Sequence, residues 1–210
     1  MNPIIVLAAL KGGTGKSTLA ALIGAELHRR GRAVAMIDAD PQGTLSHWYG
    51  TTGPLSGIPM AVDPTSKSAV RAQELAKKAI VIVDTPGFAA RELIDLMRVA
   101  SHVVVPCRPS GIDARRALEA LEMVGLVNEE RRKKATALVV MNHTAPRATL
   151  VSYLRDELSG SGARVLKAEV MNRAVFSEAE LFKTAPYLMG KRAAKAAAEI
   201  TAVTDEIIST

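Results

Sequence analysis

Lys11-Gly12-Gly13-Thr14-Gly15-Lys16-Ser17-Thr18 sits between a short apolar run, Ile4 to Ala9, and a helical pattern that begins at Ser17. Strand, glycine-rich turn and helix start, in that order, make an anion cradle. The glycines let backbone N–H groups converge on one point, and the helix N-terminus adds a favourable dipole. Lys16 can neutralise phosphate charge, and the Ser17 hydroxyl can ligate magnesium. The strict pattern G-x-x-x-x-G-K-[ST] is not met, because its first glycine would fall on Leu10. In place of that glycine frame the chain carries a second lysine, Lys11, ahead of a glycine pair.

Outward from this loop, apolar runs alternate with helical patterns. Ile4 to Ala9, Ala33 to Asp38, Ala79 to Asp84, His102 to Cys107 and Ala135 to Met141 are near-continuous apolar runs. Runs apolar on both faces suit strands of a parallel sheet covered by helices on both sides. Helices are expected over Ser17 to Arg30, Ala89 to Ala100, Ile112 to Glu130 and Arg147 to Leu158, and an alanine-rich one over Lys191 to Ile208. The order predicts a doubly wound α/β fold, a mainly parallel sheet with helices on both faces, in a single domain spanning residues 1–210. Thr51 to Ser68, rich in Gly, Pro, Ser and Thr, reads as an irregular excursion with one short candidate strand, Ile58 to Val62.

Two strand ends carry carboxylates. Asp38 and Asp40, in Met36-Ile37-Asp38-Ala39-Asp40-Pro41-Gln42, point to one side by period-two geometry at the ligand-binding edge of a parallel sheet. Such a pair can hold a magnesium hydration shell and orient an attacking water. By itself, Asp-x-Asp-Pro also describes a solvated turn. Val81-Ile82-Val83-Asp84-Thr85-Pro86-Gly87 is an apolar strand ending in one acid, placed to reach magnesium through water, with a following loop able to sense a phosphate.

Composition narrows the classes. The 210 residues carry 27 Lys plus Arg against 21 Asp plus Glu, a net charge of +6, and are 48% hydrophobic, enough for a proper core. Aromatics at 3% argue against single-strand binders and lectins built on several exposed rings. One cysteine, Cys107, excludes an internal disulfide, a zinc ribbon and a cysteine-ligated iron–sulfur cluster within one chain. Cys107 ends an apolar strand and reads as a packing residue, and His28, His47, His102 and His143 show no metal-ligand spacing. The first strand follows Met1-Asn2-Pro3 directly, with no basic leader, so a cytoplasmic location is expected.

Lys-Gly-Gly-x-Gly-Lys-Ser-Thr after a first strand is the deviant Walker A motif, and the chain resembles the ParA/MinD family of P-loop NTPases, most nearly the short partition ATPases. Further matching stretches are Gly43-Thr44-Leu45-Ser46-His47-Trp48, Pro106 to Asp113, Asn142, and Phe176-Ser177-Glu178-Ala179. The resemblance implies Mg2+-dependent ATP hydrolysis. Gly12, Gly13, Thr14, Gly15, Lys16, Ser17 and Thr18 would bind the phosphates and Asn142 the adenine; Ser17, Asp38 and Asp84 would serve the metal, and Asp40 would position the water. It implies an ATP sandwich dimer in which Lys11 crosses to the partner's nucleotide and Gly12 allows the two loops to approach. It further implies that the dimer binds non-specific double-stranded DNA through Arg173, Lys191, Arg192 and Lys195, giving a nucleoid-associated protein. A ParB-like or cargo-adaptor protein would stimulate hydrolysis and supply any accelerating arginine. The cargo would be a plasmid or chromosome, or else a protein assembly such as a chemoreceptor cluster or a microcompartment. With a strand so near Met1, no N-terminal helix-turn-helix domain is expected.

Two other readings fit less well. A MinD-like membrane regulator needs a terminal amphipathic anchor, but Ile207 and Ile208 adjoin Asp205 and Glu206 and no lysine follows Lys195, so no membrane partner is expected. A metabolic P-loop ligase or kinase would leave Lys11 unexplained.

Overall fold

The computed structural model describes residues 1–48, 52–88, 91–146 and 149–210. The element starts expected at Thr51, Ala89 and Arg147 lie outside the described residues. Seven strands, β1 Ile4–Leu7, β2 Val34–Asp38, β3 Met60–Val62, β4 Ile80–Asp84, β5 His102–Cys107, β6 Thr136–Thr144 and β7 Arg164–Met171, form one sheet in the order β3-β2-β4-β1-β5-β6-β7. Every pairing is parallel. The helices are α1 Lys16–Arg29, α2 Thr44–Trp48, α3 Ser68–Leu75, α4 Arg91–Val99, α5 Gly111–Glu129, α6 Thr149–Ser159, α7 Ala174–Leu181 and α8 Ala194–Ile208. Short 3-10 turns at Pro186–Leu188 and Lys191–Ala193 lead into α8, so the terminal helix begins three residues later than its sequence suggests.

Strand period two divides the core. Ile4 and Val6 face one layer with Leu93 and Leu96 of α4, Leu121 of α5 and Leu154 of α6; Ile5 and Leu7 face the other with Leu19, Ile23 and Leu27 of α1 and Ile200 and Val203 of α8. Each large side chain fully buried this way contributes about 1.5–3 kcal/mol. Winding runs outward from β1 in both directions, toward β4 and β2 on one side and β5 and β6 on the other. The end of β1 is therefore a topological switch point, where ligands of open parallel sheets bind.

The apolar-run criterion finds the buried strands and misses β7. As an edge strand, β7 is exposed at Arg164 and Lys167 and buried at Leu166 and Val170, so it never presents a continuous apolar run. Side chains cover its free backbone. Glu206 accepts from the N–H groups of Lys167 and Ala168 at 2.9 and 2.6 Å, and Glu199 from that of Met171 at 3.2 Å. The excursion after Thr51 contains β3, and the short α2 and α3 flank it. Trp48 of α2 is buried, its indole N–H donating to the Thr184 carbonyl at 3.3 Å, which pins the segment after Asp40 against the chain leaving α7.

Candidate active site

After β1 the chain turns through Gly13 and Gly15, both in the left-handed region with φ of 76° and 91°, and enters α1 at Lys16. No side chain caps that helix start, so its first N–H groups remain available to an anion. Gly15 is required twice over: its φ disfavours any side chain, and a Cβ there would lie 2.3 Å from Nδ2 of Asn142. Gly87 is equally constrained by space, since a Cβ would lie 3.1 and 3.2 Å from the backbone N and Cα of Gly12. The loop after β4 thus rests directly on the phosphate loop. Thr85 ties it further, its hydroxyl donating to the Leu7 carbonyl at 2.7 Å.

A cavity of about 550 Å3 opens over this loop, lined by Gly13, Lys16, Ser17, Thr18, Asp40 and Phe88 among others. Lys16 is buried, so its ammonium is committed to whatever anion enters. Strand register sets Asp38 opposite Asp84 on neighbouring β2 and β4. Their environments differ. Asp38 accepts from the N–H groups of Asp40 at 3.2 Å and Ser46 at 2.7 Å, so its carboxylate holds the loop that carries Asp40. Asp40 reaches the cavity, with Oδ1 accepting from the N–H of Gln42 at 2.9 Å. Asp84 is fully buried, with the Ser17 hydroxyl nearby but neither oxygen in a well-formed hydrogen bond among the described residues. Burial, helped by the nearby charges of Asp38 and Asp40, raises its pKa to about 7, and Ser17 and Lys16 offset only part of that.

Two unspent carboxylate oxygens beside a phosphate cradle fit a hydrated magnesium ion. Ser17 and Asp84 would hold it, with Asp38 orienting the loop alongside. Among the described residues no three His, Cys, Asp or Glu side chains form a metal cluster.

Lys11 stands apart from Lys16. Its side chain is 40% exposed at the rim, and its ammonium pairs with Asp113 Oδ1 at 3.0 Å. Asp113 opens α5 in a reciprocal cap, its N–H donating to the Ser110 hydroxyl at 3.1 Å and its carboxylate accepting from that hydroxyl. Burial alone would raise the Asp113 pKa, but hydrogen bonds from Ser110 and Lys11 and the charges of Lys11 and Arg108 hold it below its ordinary value. Asn142 is buried, donating to the Thr14 carbonyl at 2.6 Å while its carbonyl oxygen accepts from the N–H of His143. It braces the phosphate loop from the end of β6.

The basic residues named for DNA lie elsewhere. Arg173 is engaged by Glu199 through two bonds, at 2.9 and 2.6 Å, and Arg192 pairs with Glu178 at 2.6 Å. Lys191 and Lys195 are exposed and enter no ion pair among the described residues. Cys107 is buried, its thiol pushed up to about 12 by desolvation, with the Asp113 charge adding to the effect. Sequence reasoning missed Asp113, Gly87 as a packing partner of Gly12, and the brace from Asn142 to Thr14. Only the Ser-x-x-Asp spacing of 110 and 113 was a local signal for any of them.

A family model describing the CobQ/CobB/MinD/ParA nucleotide binding domain matches residues 5–186. The chain belongs to this family. It is 31% identical over 209 residues to the maintenance of carboxysome distribution protein A of Halothiobacillus neapolitanus, covering 97% of this chain and 95% of that one. It is 30% identical over 179 residues to the protein ParA of Rhizobium radiobacter, covering 83% and 81%. Its fold superposes on the ATP complex of Cyanothece McdA with a TM-score of 0.79 at 16% identity, over 98% of this chain and 96% of that one. The chain is thus a nucleotide-binding ATPase of the ParA/MinD family. No helix among the described residues is long and apolar enough to cross a membrane.

Proposed function

We propose that this ATPase dimerises face to face on ATP, that the dimer holds non-specific duplex DNA, and that hydrolysis stimulated by a partner protein releases it, so that a cargo is moved or spaced. The different stations of the two lysines carry this reading. Lys16 is buried in the phosphate cavity, whereas Lys11 is part-exposed and among the described residues is held by Asp113, where it can serve a nucleotide on a second copy. Gly12 supports the same arrangement, because a Cβ there would meet nothing within 4 Å, leaving that face of the loop open to an opposing backbone. Within one copy Asp40 would orient the attacking water while Ser17 and Asp84 hold the ion, which when bound neutralises phosphate charge.

For the cargo we favour a protein assembly, such as a microcompartment reached through an adaptor protein, on the strength of the near full-length similarity to a carboxysome-distribution protein. Plasmid or chromosome partition with a ParB-like partner is the second reading, favoured by the similarity to ParA. On the DNA side, Lys191 and Lys195 are the two of the four named that enter no ion pair among the described residues, and Arg173 and Arg192 contribute only if their glutamates release them. Two weak patches joined in one dimer double the phosphates neutralised, and non-specific affinity rises steeply with that number.

The test is binding to non-specific duplex DNA with ATP, ADP or no nucleotide at two salt concentrations, for the native chain and Lys16→Ala. ATP-dependent, salt-sensitive binding lost in Lys16→Ala is expected. Binding indifferent to nucleotide, or absent throughout, overturns the DNA-tethered switch.

A further inference from the structure

The carboxylates of the site, Asp40 and Asp84, come from the β2 and β4 side of β1. A nucleotide whose metal-bound end is held there must extend across the phosphate loop toward the opposite side, where β5 and β6 end. Two residues with no assigned role stand on that side. Arg108, in the loop after β5, places a guanidinium nitrogen 4.0 Å from the point a Cβ on Gly13 would occupy, over backbone built to receive an anion. It enters no ion pair among the described residues; the nearby Asp113 is already engaged by Lys11 and Ser110. A half-buried guanidinium left without a counter-ion beside a phosphate cradle calls for an anionic ligand.

His143 is the second residue. It follows Asn142 at an irregularity in the β6–β7 pairing and holds φ at 56°, one of two non-glycine residues in that region among those described. Such a conformation carries an energetic cost, and bulges of this kind re-aim side chains beside functional sites. Here the ring is turned onto the loop, with Nε2 3.7 Å from the point a Cβ on Gly15 would occupy. Burial and then the charge of Arg108 hold its pKa below the ordinary imidazole value.

We propose that Arg108 is a further nucleotide-binding residue, closing on the phosphate chain from the side opposite Asp40 and Asp84, and that His143 packs between it and the nucleoside. This rests on the phosphate loop being the ATP site. Arg108 is thereby a source of affinity within the chain, separate from any arginine a partner brings to hydrolysis. Because the contact is to phosphates common to both nucleotides, it acts on ATP and ADP alike. His143, touching the nucleoside, also acts on both.

Calorimetric titration of the full chain with MgATP and with MgADP tests this, using native, Arg108→Gln, Arg108→Lys, His143→Gly and Lys16→Ala proteins, each first checked by thermal melting. Glycine accepts the backbone of residue 143 unstrained, so His143→Gly removes the ring without forcing the backbone to move. Arg108→Gln is expected to weaken both nucleotides about tenfold, more at low salt than at high, with Arg108→Lys recovering part of the loss. His143→Gly is expected to weaken both severalfold, without the salt dependence. Arg108→Gln and Arg108→Lys both binding within twofold of native, while Lys16→Ala loses binding, would overturn the assignment of Arg108 and leave the ATP site standing. His143→Gly binding as native would overturn the nucleoside contact. If Lys16→Ala also binds as native, the phosphate loop is not the ATP site and the proposal falls with it.

Discussion

Replacing Gly87 with alanine tests whether the loop after β4 and the phosphate loop act as one body. Gly87 lies outside the left-handed region, so alanine brings no backbone strain and the added methyl alone is measured. That methyl would lie 3.1 Å from the Gly12 nitrogen, 3.2 Å from the Gly12 Cα and 3.3 Å from the Lys11 carbonyl carbon. All three are backbone atoms and none can rotate away, so the two loops must separate by a few tenths of an ångström. Overpacking of this kind costs about 1–3 kcal/mol. Where the strain is relieved by displacing the loop that binds phosphate, the same free energy is lost from nucleotide affinity, about 5- to 150-fold. Calorimetric titration with MgADP beside a thermal melt reads both places the cost can fall. Gly125→Ala is the control, since a Cβ at 125 meets nothing within 4 Å and lies within α5, where alanine is expected to stabilise by about 0.5–1 kcal/mol. An unchanged melting temperature together with an affinity within twofold of native would refute the coupling.

Three further outcomes are expected. Asp113→Asn removes the charge that holds Lys11, a half-exposed pair worth about 0.5–1 kcal/mol, and ATP-induced dimerisation followed by light scattering should rise two- to fivefold; a fall would mean that Asp113 serves the dimer instead. Asp84→Asn removes the carboxylate whose two oxygens are otherwise unspent, so the gain in ATP affinity on adding Mg2+ should fall sharply while metal-free ADP binding persists; retention of the full magnesium effect in calorimetry would remove Asp84 from the metal site. Glu26 is buried in α1, which by itself would raise its pKa, but hydrogen bonds from Arg29 and Arg30 outweigh this and hold it below the usual glutamate value of 4.5. Its contribution is therefore full above the unfolded glutamate pKa and is lost as pH falls through the lower folded value. Glu26→Gln should lose about 1–3 kcal/mol at pH 7 and flatten the acid limb of a denaturation series, and parallel acid limbs for the two proteins would contradict this.

Much of the site was legible because its chemistry is contiguous. Lys11 to Thr18 places glycines, lysine and hydroxyl in one short stretch, Asp38 and Asp84 each close an apolar run, and Asp40 follows two residues after the first, so the strand ends carry all three acids to one edge of the sheet. The buried strands showed themselves for the same local reason: a strand covered on both faces is apolar at every position. That rule does not see β7, whose outer edge is covered by Glu199 and Glu206 of α8 and whose exposed positions carry Arg164 and Lys167. Nor does it see the five-residue α2, too short for a helical period to register.

By itself, then, the sequence determined the phosphate loop, the acids at the strand ends and the α/β order, since each depends on neighbours a few residues away. Only the tertiary structure decided what those groups touch. Lys11 meets Asp113 across 102 residues and Asn142 meets Thr14 across 128, because the sheet order sets β5 and β6 on one flank of β1. Gly87 meets Gly12 because β4 lies on the other flank. Which strand-end carboxylate is spent on backbone donors was likewise decided in three dimensions. Asp38 and Asp84 are alike as strand-end acids, but the turn after β2 brings the N–H groups of Asp40 and Ser46 onto Asp38, whereas among the described residues no backbone N–H is bonded to Asp84.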